Sequence, residues 1–101
     1  MRWREEEGWG STTTLAQLRE EVTGMDFMIL NLVKKRMVVC QEIGAFKVAA
    51  GLPIRDSEQE GKVIETRVRE GQALGLEADF VSELLMLLMK HSRRLQQCIQ
   101  R

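Results

Sequence analysis

From Leu15 to Phe46 the chain places an apolar side chain every three and then four residues: Leu15, Leu18, Val22, Met25, Ile29, Leu32, then Val39, Ile43 and Phe46. This is a heptad a/d register, and its one polar seam position, 36, is an arginine. No proline interrupts the segment, so the spacing predicts one helix from Leu15 to about Ala50. A guanidinium in the apolar stripe of that helix is costly to bury unless something anionic meets it. Either an acid on a neighbouring helix or an anionic ligand would satisfy that need.

Length makes the same helix a constraint on assembly. At about 1.5 Å per residue it would be about 54 Å long. A domain of this size has a radius of gyration of about 13 Å, hence a diameter of about 34 Å. Folding back within one chain cannot cover such a stripe, and the expected solution is a homodimer in which two long helices share one core.

The bulk numbers exclude several classes. At 101 residues the chain is expected to form one domain, and its 15 basic and 15 acidic residues cancel. Without a net field it is not expected to bind nucleic acid or a membrane surface, so its cations matter by position. The longest apolar run, Leu84 to Met89, is too short to cross a bilayer. The segment Met1-Arg-Trp-Arg-Glu-Glu-Glu has no apolar core of a secretory signal. Cys40 and Cys98 are isolated and read as reduced thiols, which together with the N-terminus points to a cytoplasmic protein.

Residues 1–11, with two glycines and two tryptophans and no period, are expected to be a flexible extension, leaving 12–101 as the domain. Thr14-Leu-Ala-Gln17 fits a capping box for the first helix, and Gly51 and Pro53 end it. Ser57-Glu-Gln-Glu60 is a second such box, opening a short helix with Val63, Ile64 and Val68 on its stripe and an end marked by Gly71 and Gly75. Asp79 is placed as the N-cap of a third helix through Phe80, Val81, Leu84, Leu85, Leu88, Leu95 and Ile99. The fold class is therefore all-α, three helices per chain in the order long, short, medium.

Several polar residues sit on or beside these apolar stripes. Lys47 follows Arg36 by 11 residues, which is about 20° in helical phase and about 16 Å along the axis. Arg19 flanks the stripe near the helix start. Ser92 and Gln96 lie one turn apart on the third helix, and a buried amide must find partners. Asp56 and Glu60, also one turn apart, are either caps or acceptors for a ligand. His91 has no second His or Cys at ligand spacing, and no metal is expected. Neither cysteine has a base in pattern, and there is no glycine-rich phosphate loop. Cations, an amide and a carboxylate walled by Leu, Val and Met suit a small hydroxylated dicarboxylate and an electrostatic rather than covalent reaction.

Five segments, in order, resemble the all-helical chorismate mutases of the monofunctional kind: Leu-Arg-Glu-Glu-Val-Thr-Gly-Met-Asp (18–26), Leu-Val-Lys-Lys-Arg (32–36), Glu-Ile-Gly-Ala-Phe-Lys (42–47), Pro-Ile-Arg-Asp-Ser-Glu-Gln-Glu (53–60) and His-Ser-Arg-Arg-Leu-Gln (91–96). The resemblance implies an intertwined homodimer with two equivalent sites, no cofactor, and a role in phenylalanine and tyrosine biosynthesis. It implies the Claisen rearrangement of chorismate, a dianion, to prephenate. By that pattern Arg36 binds a substrate carboxylate, and Arg19 does so in the site of the other subunit. Lys47 and Gln96 donate to the ether oxygen, Glu60 accepts from the ring hydroxyl beside Asp56, and Ser92 lies near the ring carboxylate. One position departs: the family often has arginine where this chain has Gln59. A neutral hydrogen bond is weaker than a charge-assisted one. The resemblance therefore implies weaker substrate binding than in an arginine-bearing relative.

Two other readings share much of this pattern. An isochorismate-pyruvate lyase of the same fold would use the same cations, although Glu60 and the Ile-Arg-Asp loop favour the mutase. A non-catalytic helical dimer, such as a regulatory module, has Gln59 in its favour.

Overall fold

The structure, a computed structural model, describes residues 13–99, with side chains to 97. The expected flexible extension over 1–11 lies outside the described residues, as does the Cys98 side chain. Three helices follow one another: α1, Leu15–Ala50; α2, Ser57–Ala73; α3, Ala78–Ile99. The chain divides at the Lys35–Arg36 junction into two units. Among the described residues no helix is long and apolar enough to cross a membrane.

The first unit holds the opening turns of α1. The Thr14 capping box forms as expected: Thr14 N–H donates to Gln17 Oε1 at 2.7 Å, and Gln17 N–H donates to Thr14 Oγ1 at 3.2 Å. Its apolar register is exposed within the single chain, with Leu32 retaining 63% of its surface. Leu15, Val22 and Ile29 are likewise exposed. Arg19 lines a shallow groove with Leu15, Leu18, Val22 and Thr23.

In the second unit, the face of α1 turned toward α3 is not the heptad seam. Val39, Ile43 and Phe46 are exposed, whereas Arg36, Cys40 and Lys47 are half-buried and Gly44 is buried. The inward face of this part of α1 is therefore Arg36-Cys40-Gly44-Lys47, spaced by four, four and three residues. It is polar or small at every position, and the apolar seam residues Val39, Ile43 and Phe46 lie on the neighbouring stripe, which meets it at Arg36. Gly44 allows this closeness. A Cβ built there would lie 2.8 Å from Gln96 Cγ and 3.2 Å from the Gln96 Cα.

α1 closes with a Schellman motif. Leu52 N–H donates to Lys47 O at 2.8 Å and Gly51 N–H to Val48 O at 3.2 Å, with Gly51 at φ +70°. Only glycine takes that left-handed conformation without strain. α2 begins one residue earlier than its apparent capping box: Asp56, not Ser57, is the N-cap, and its carboxylate accepts from Gln59 N–H at 3.1 Å. An aspartate is as good a cap as a serine, and the loop leaves Asp56 extended at ψ 98°.

Gly71 does not end α2. It lies inside the helix, buried, where a Cβ would come within 2.5 Å of Val81 Cγ2, so its role is close packing of α2 on α3. The helix ends at Ala73, with Gly75 at φ +89° in the turn. Asp79 is likewise not a cap. It sits in the first turn of α3, whose carbonyl partner for Val81 N–H is Glu77. A negative charge in that turn still favours the helix dipole. The buried face of α3 runs Val81, Leu85, Met89, Ser92, Gln96, while Phe80 and Leu84 point outward. The apolar core thus gives way to two buried polar side chains as α3 proceeds, and those two lie opposite the polar face of α1.

Candidate active site

A cleft of about 210 Å³ opens where α1, the 51–56 loop, α2 and α3 meet within the second unit. Arg36, Lys47, Asp56, Gln59, Glu60, Ser92 and Gln96 all line it, so seven of the eight expected site residues are brought together. Ile43, Ile54, Val63 and Met89 supply apolar wall. The eighth, Arg19, belongs to the first unit.

Arg36, Lys47, Ser92 and Gln96 are all held by hydrogen bonds within the second unit. Arg36 Nη1 donates to Ser92 Oγ at 2.8 Å and meets Cys40 Sγ at 3.8 Å, and Ser92 Oγ donates onward to Leu88 O at 2.9 Å. No carboxylate of the described residues pairs with Arg36, so the acid it would need on a neighbouring helix is not what occupies it. Lys47 Nζ donates to Ile54 O at 2.9 Å, which ties the end of α1 to the loop. Gln96 Nε2 donates to Cys40 O at 2.9 Å across the gap that Gly44 leaves. Ser92 and Gln96 each retain only 6% of their surface.

Anchoring leaves donors over. An ammonium has three, a guanidinium five and a primary amide two. Lys47, Arg36 and Gln96 therefore each keep at least one N–H beyond the bonds named here, in a cleft whose remaining wall is largely apolar. The site can surround an anionic or strongly polarised oxygen with fixed donors. It presents no cluster of His, Cys, Asp and Glu able to hold a metal among the described residues.

Two residues of the cleft, Arg93 and Cys40, and Gly44 packed against Gln96 beside it, do not stand out in the sequence as site residues. Arg93 lines it from α3, with Nη1 donating to Glu60 Oε2 at 2.8 Å. Its neighbour Ser92 is the signal: on a helix entering a cleft, adjacent residues can flank the same opening. Cys40 contributes its carbonyl and its sulfur, and no side-chain pattern reveals a carbonyl acceptor. Gly44 is visible as a helix-interior glycine, which costs about 1 kcal/mol against alanine and so calls for a packing reason.

The family model for chorismate mutase type II matches residues 18–97. The T-protein of Enterobacter agglomerans is 33% identical over 78 residues, 77% of this chain and 21% of that protein. The bifunctional chorismate mutase/prephenate dehydratase of the same organism is 31% identical over 85 residues, 84% of this chain and 22% of the other. Its counterpart in Escherichia coli (strain K12) is 29% identical over 89 residues, 88% and 23% respectively. The chain belongs to the chorismate mutase type II family, and the three helices agree with its all-α class. The domain it forms is a chorismate mutase domain, and it spans about a fifth of the length of the curated relatives it matches.

Proposed function

We propose that the cleft binds chorismate and converts it to prephenate for phenylalanine and tyrosine synthesis. The observation that carries this reading is the set of spare, fixed donors from Arg36, Lys47 and Gln96 in one apolar-walled cleft that the carboxylate of Glu60 also lines. The rearrangement is intramolecular: the C–O ether bond breaks while a C–C bond forms, and negative charge grows on the ether oxygen. It needs the side chain folded over the ring and donors aimed at that oxygen. Lys47 and Gln96 serve as those donors. Arg36, steadied by Ser92, takes a carboxylate, and Glu60 takes the ring hydroxyl beside the Asp56 cap. No step requires a cofactor.

The functional unit is then a homodimer. The exposed register of α1 would be covered by a second copy, and Arg19 of the partner subunit would enter each cleft to meet the other carboxylate. That supplies a second cation for the dianion, while this chain's own Arg19 serves the cleft of the partner subunit.

The direct test follows ultraviolet absorbance of chorismate on adding purified protein, with Arg36→Ala alongside. The native chain should consume chorismate and yield prephenate. Loss of a charged hydrogen bond worth about 1.5–3 kcal/mol should lower kcat/KM of the variant by about 10- to 100-fold. A native dimer without turnover would establish a non-catalytic module, and pyruvate released from isochorismate would establish the lyase.

A second variant separates the ether-oxygen donor from a structural amide. Gln96→Glu retains size but, as a carboxylate, has no proton to donate. Burial raises a carboxyl's pKa, and the donor exists only below it. Activity in this variant should therefore increase as pH falls, while the native profile stays flatter. An unchanged profile would contradict the assignment of Gln96.

A further inference from the structure

Glu60 is held by two guanidinium groups at once. Its Oε2 accepts from Arg93 Nη1 at 2.8 Å and its Oε1 from Arg55 Nε at 3.3 Å. The two arginines stand in different places. The Arg93 side chain, 25% exposed, lines the cleft with Arg36 and Lys47. The Arg55 side chain, 61% exposed, lies on the loop and lines instead an outer groove with Lys90. Glu60 and Arg93 border both spaces, so their ion pair is the partition between them.

A carboxylate with two cationic partners can release one without being left uncompensated. Arg93 is also the only one of the two that reaches the cleft, whose lining includes the neutral amide of Gln59. We propose that Arg93 is a substrate-binding residue: as the dianion enters, its guanidinium exchanges Glu60 Oε2 for a substrate carboxylate, while Arg55 retains Glu60 through Oε1. The exchange rests on the chorismate reading above. It also frees Oε2 to accept the ring hydroxyl, so Glu60 gains its acceptor role only once substrate is bound. The charge missing at position 59 is then supplied from α3, and the weak binding implied by Gln59 alone does not arise.

Steady-state kinetics with chorismate on the native chain, Arg93→Ala, Arg93→Gln, Gln59→Arg and the Gln59→Arg/Arg93→Ala double variant test this. Arg93→Ala should raise KM by about 10- to 100-fold with kcat changed by less than about threefold, the pattern of a binding rather than a chemical contribution. Arg93→Gln should do the same, and it keeps the shape should the alanine variant fold poorly. In the double variant Gln59→Arg should bring KM back to within about threefold of native. An Arg93 that merely braces α2 against α3 would instead lower Tm in both Arg93 variants, leave KM in place and gain nothing from Gln59→Arg. That result overturns the proposal while the native turnover stands. A native chain that does not consume chorismate overturns the mutase reading and this inference together.

Discussion

Replacing Lys47 with alanine should lower turnover by about three orders of magnitude, the loss expected when a fixed donor to developing negative charge is removed. The proposed dimer should survive, as read by light scattering of the native and variant chains. The Lys47 side chain makes one hydrogen bond, to the Ile54 carbonyl, and the Gly51 turn and the Asp56 cap hold the same loop without it. The effect should fall on kcat more than on KM, because the ether oxygen carries little charge in the ground state and much more in the transition state. A Lys47→Ala enzyme with near-native kcat would remove Lys47 from the mechanism. A parallel fall in dimer content would mean that its structural bond matters more than its charge.

Gly44→Ala should uncouple activity from stability. Two terms oppose each other in the folded state. Alanine gains about 1 kcal/mol of helix propensity over glycine. Overpacking costs about 1–3 kcal/mol, and here the new Cβ meets not only the flexible Gln96 Cγ at 2.8 Å but the Gln96 Cα at 3.2 Å. The melting temperature should therefore fall by only a few degrees. Function has no such compensation. The clash pushes α3 and its carboxamide away from α1, stretching the 2.9 Å bond from Gln96 to Cys40 O. Misplacing a catalytic group by about 1 Å can cost about 100-fold, so kcat/KM should drop by between tenfold and a hundredfold. Gly61→Ala is the control. No heavy atom lies within 4 Å of the point a Cβ would occupy there, and alanine should raise stability by about 1 kcal/mol. A Gly44→Ala enzyme as active as native would show that α1 and α3 slide apart without consequence.

These two residues illustrate what can be read from the chain alone. Lys47 is legible because 11 residues of helix return nearly to the same phase, and the structure puts Arg36 and Lys47 on one cleft. Glycine and proline likewise mark the end of α1 correctly. The seam is half legible. Periodicity locates a continuous apolar stripe but not which partner it faces, and within the chain α3 packs on the neighbouring stripe of Arg36, Cys40, Gly44 and Lys47. A heptad pattern records the most apolar face, whereas the intrachain contact is decided by where Gly44 lets another helix come close. Gly71 misleads for the same reason. Near a helix end a glycine suggests termination, and only the position of Val81 across the gap shows it to be a contact surface. The cap of α2 is displaced by one residue, to Asp56, because Asp and Ser are adjacent and equally competent. Arg93 escapes notice because a charge beside a polar pair on an otherwise apolar helix reads as a solvated face until Glu60 is placed opposite it.

The anchoring bonds of Lys47, Gln96 and Arg36 have a consequence for how a ligand is received. Long polar side chains lose up to about 1.5–2 kcal/mol of rotamer entropy when ordered. Here that loss falls on folding, since a carbonyl or hydroxyl already holds each one. Association should then proceed in one kinetic phase with no slow rearrangement, Arg93 alone having to change partner. The domain carries a standing instability in return. Chains with apolar residues of similar shape at 47 and 96 should melt higher than the native protein while doing nothing to chorismate.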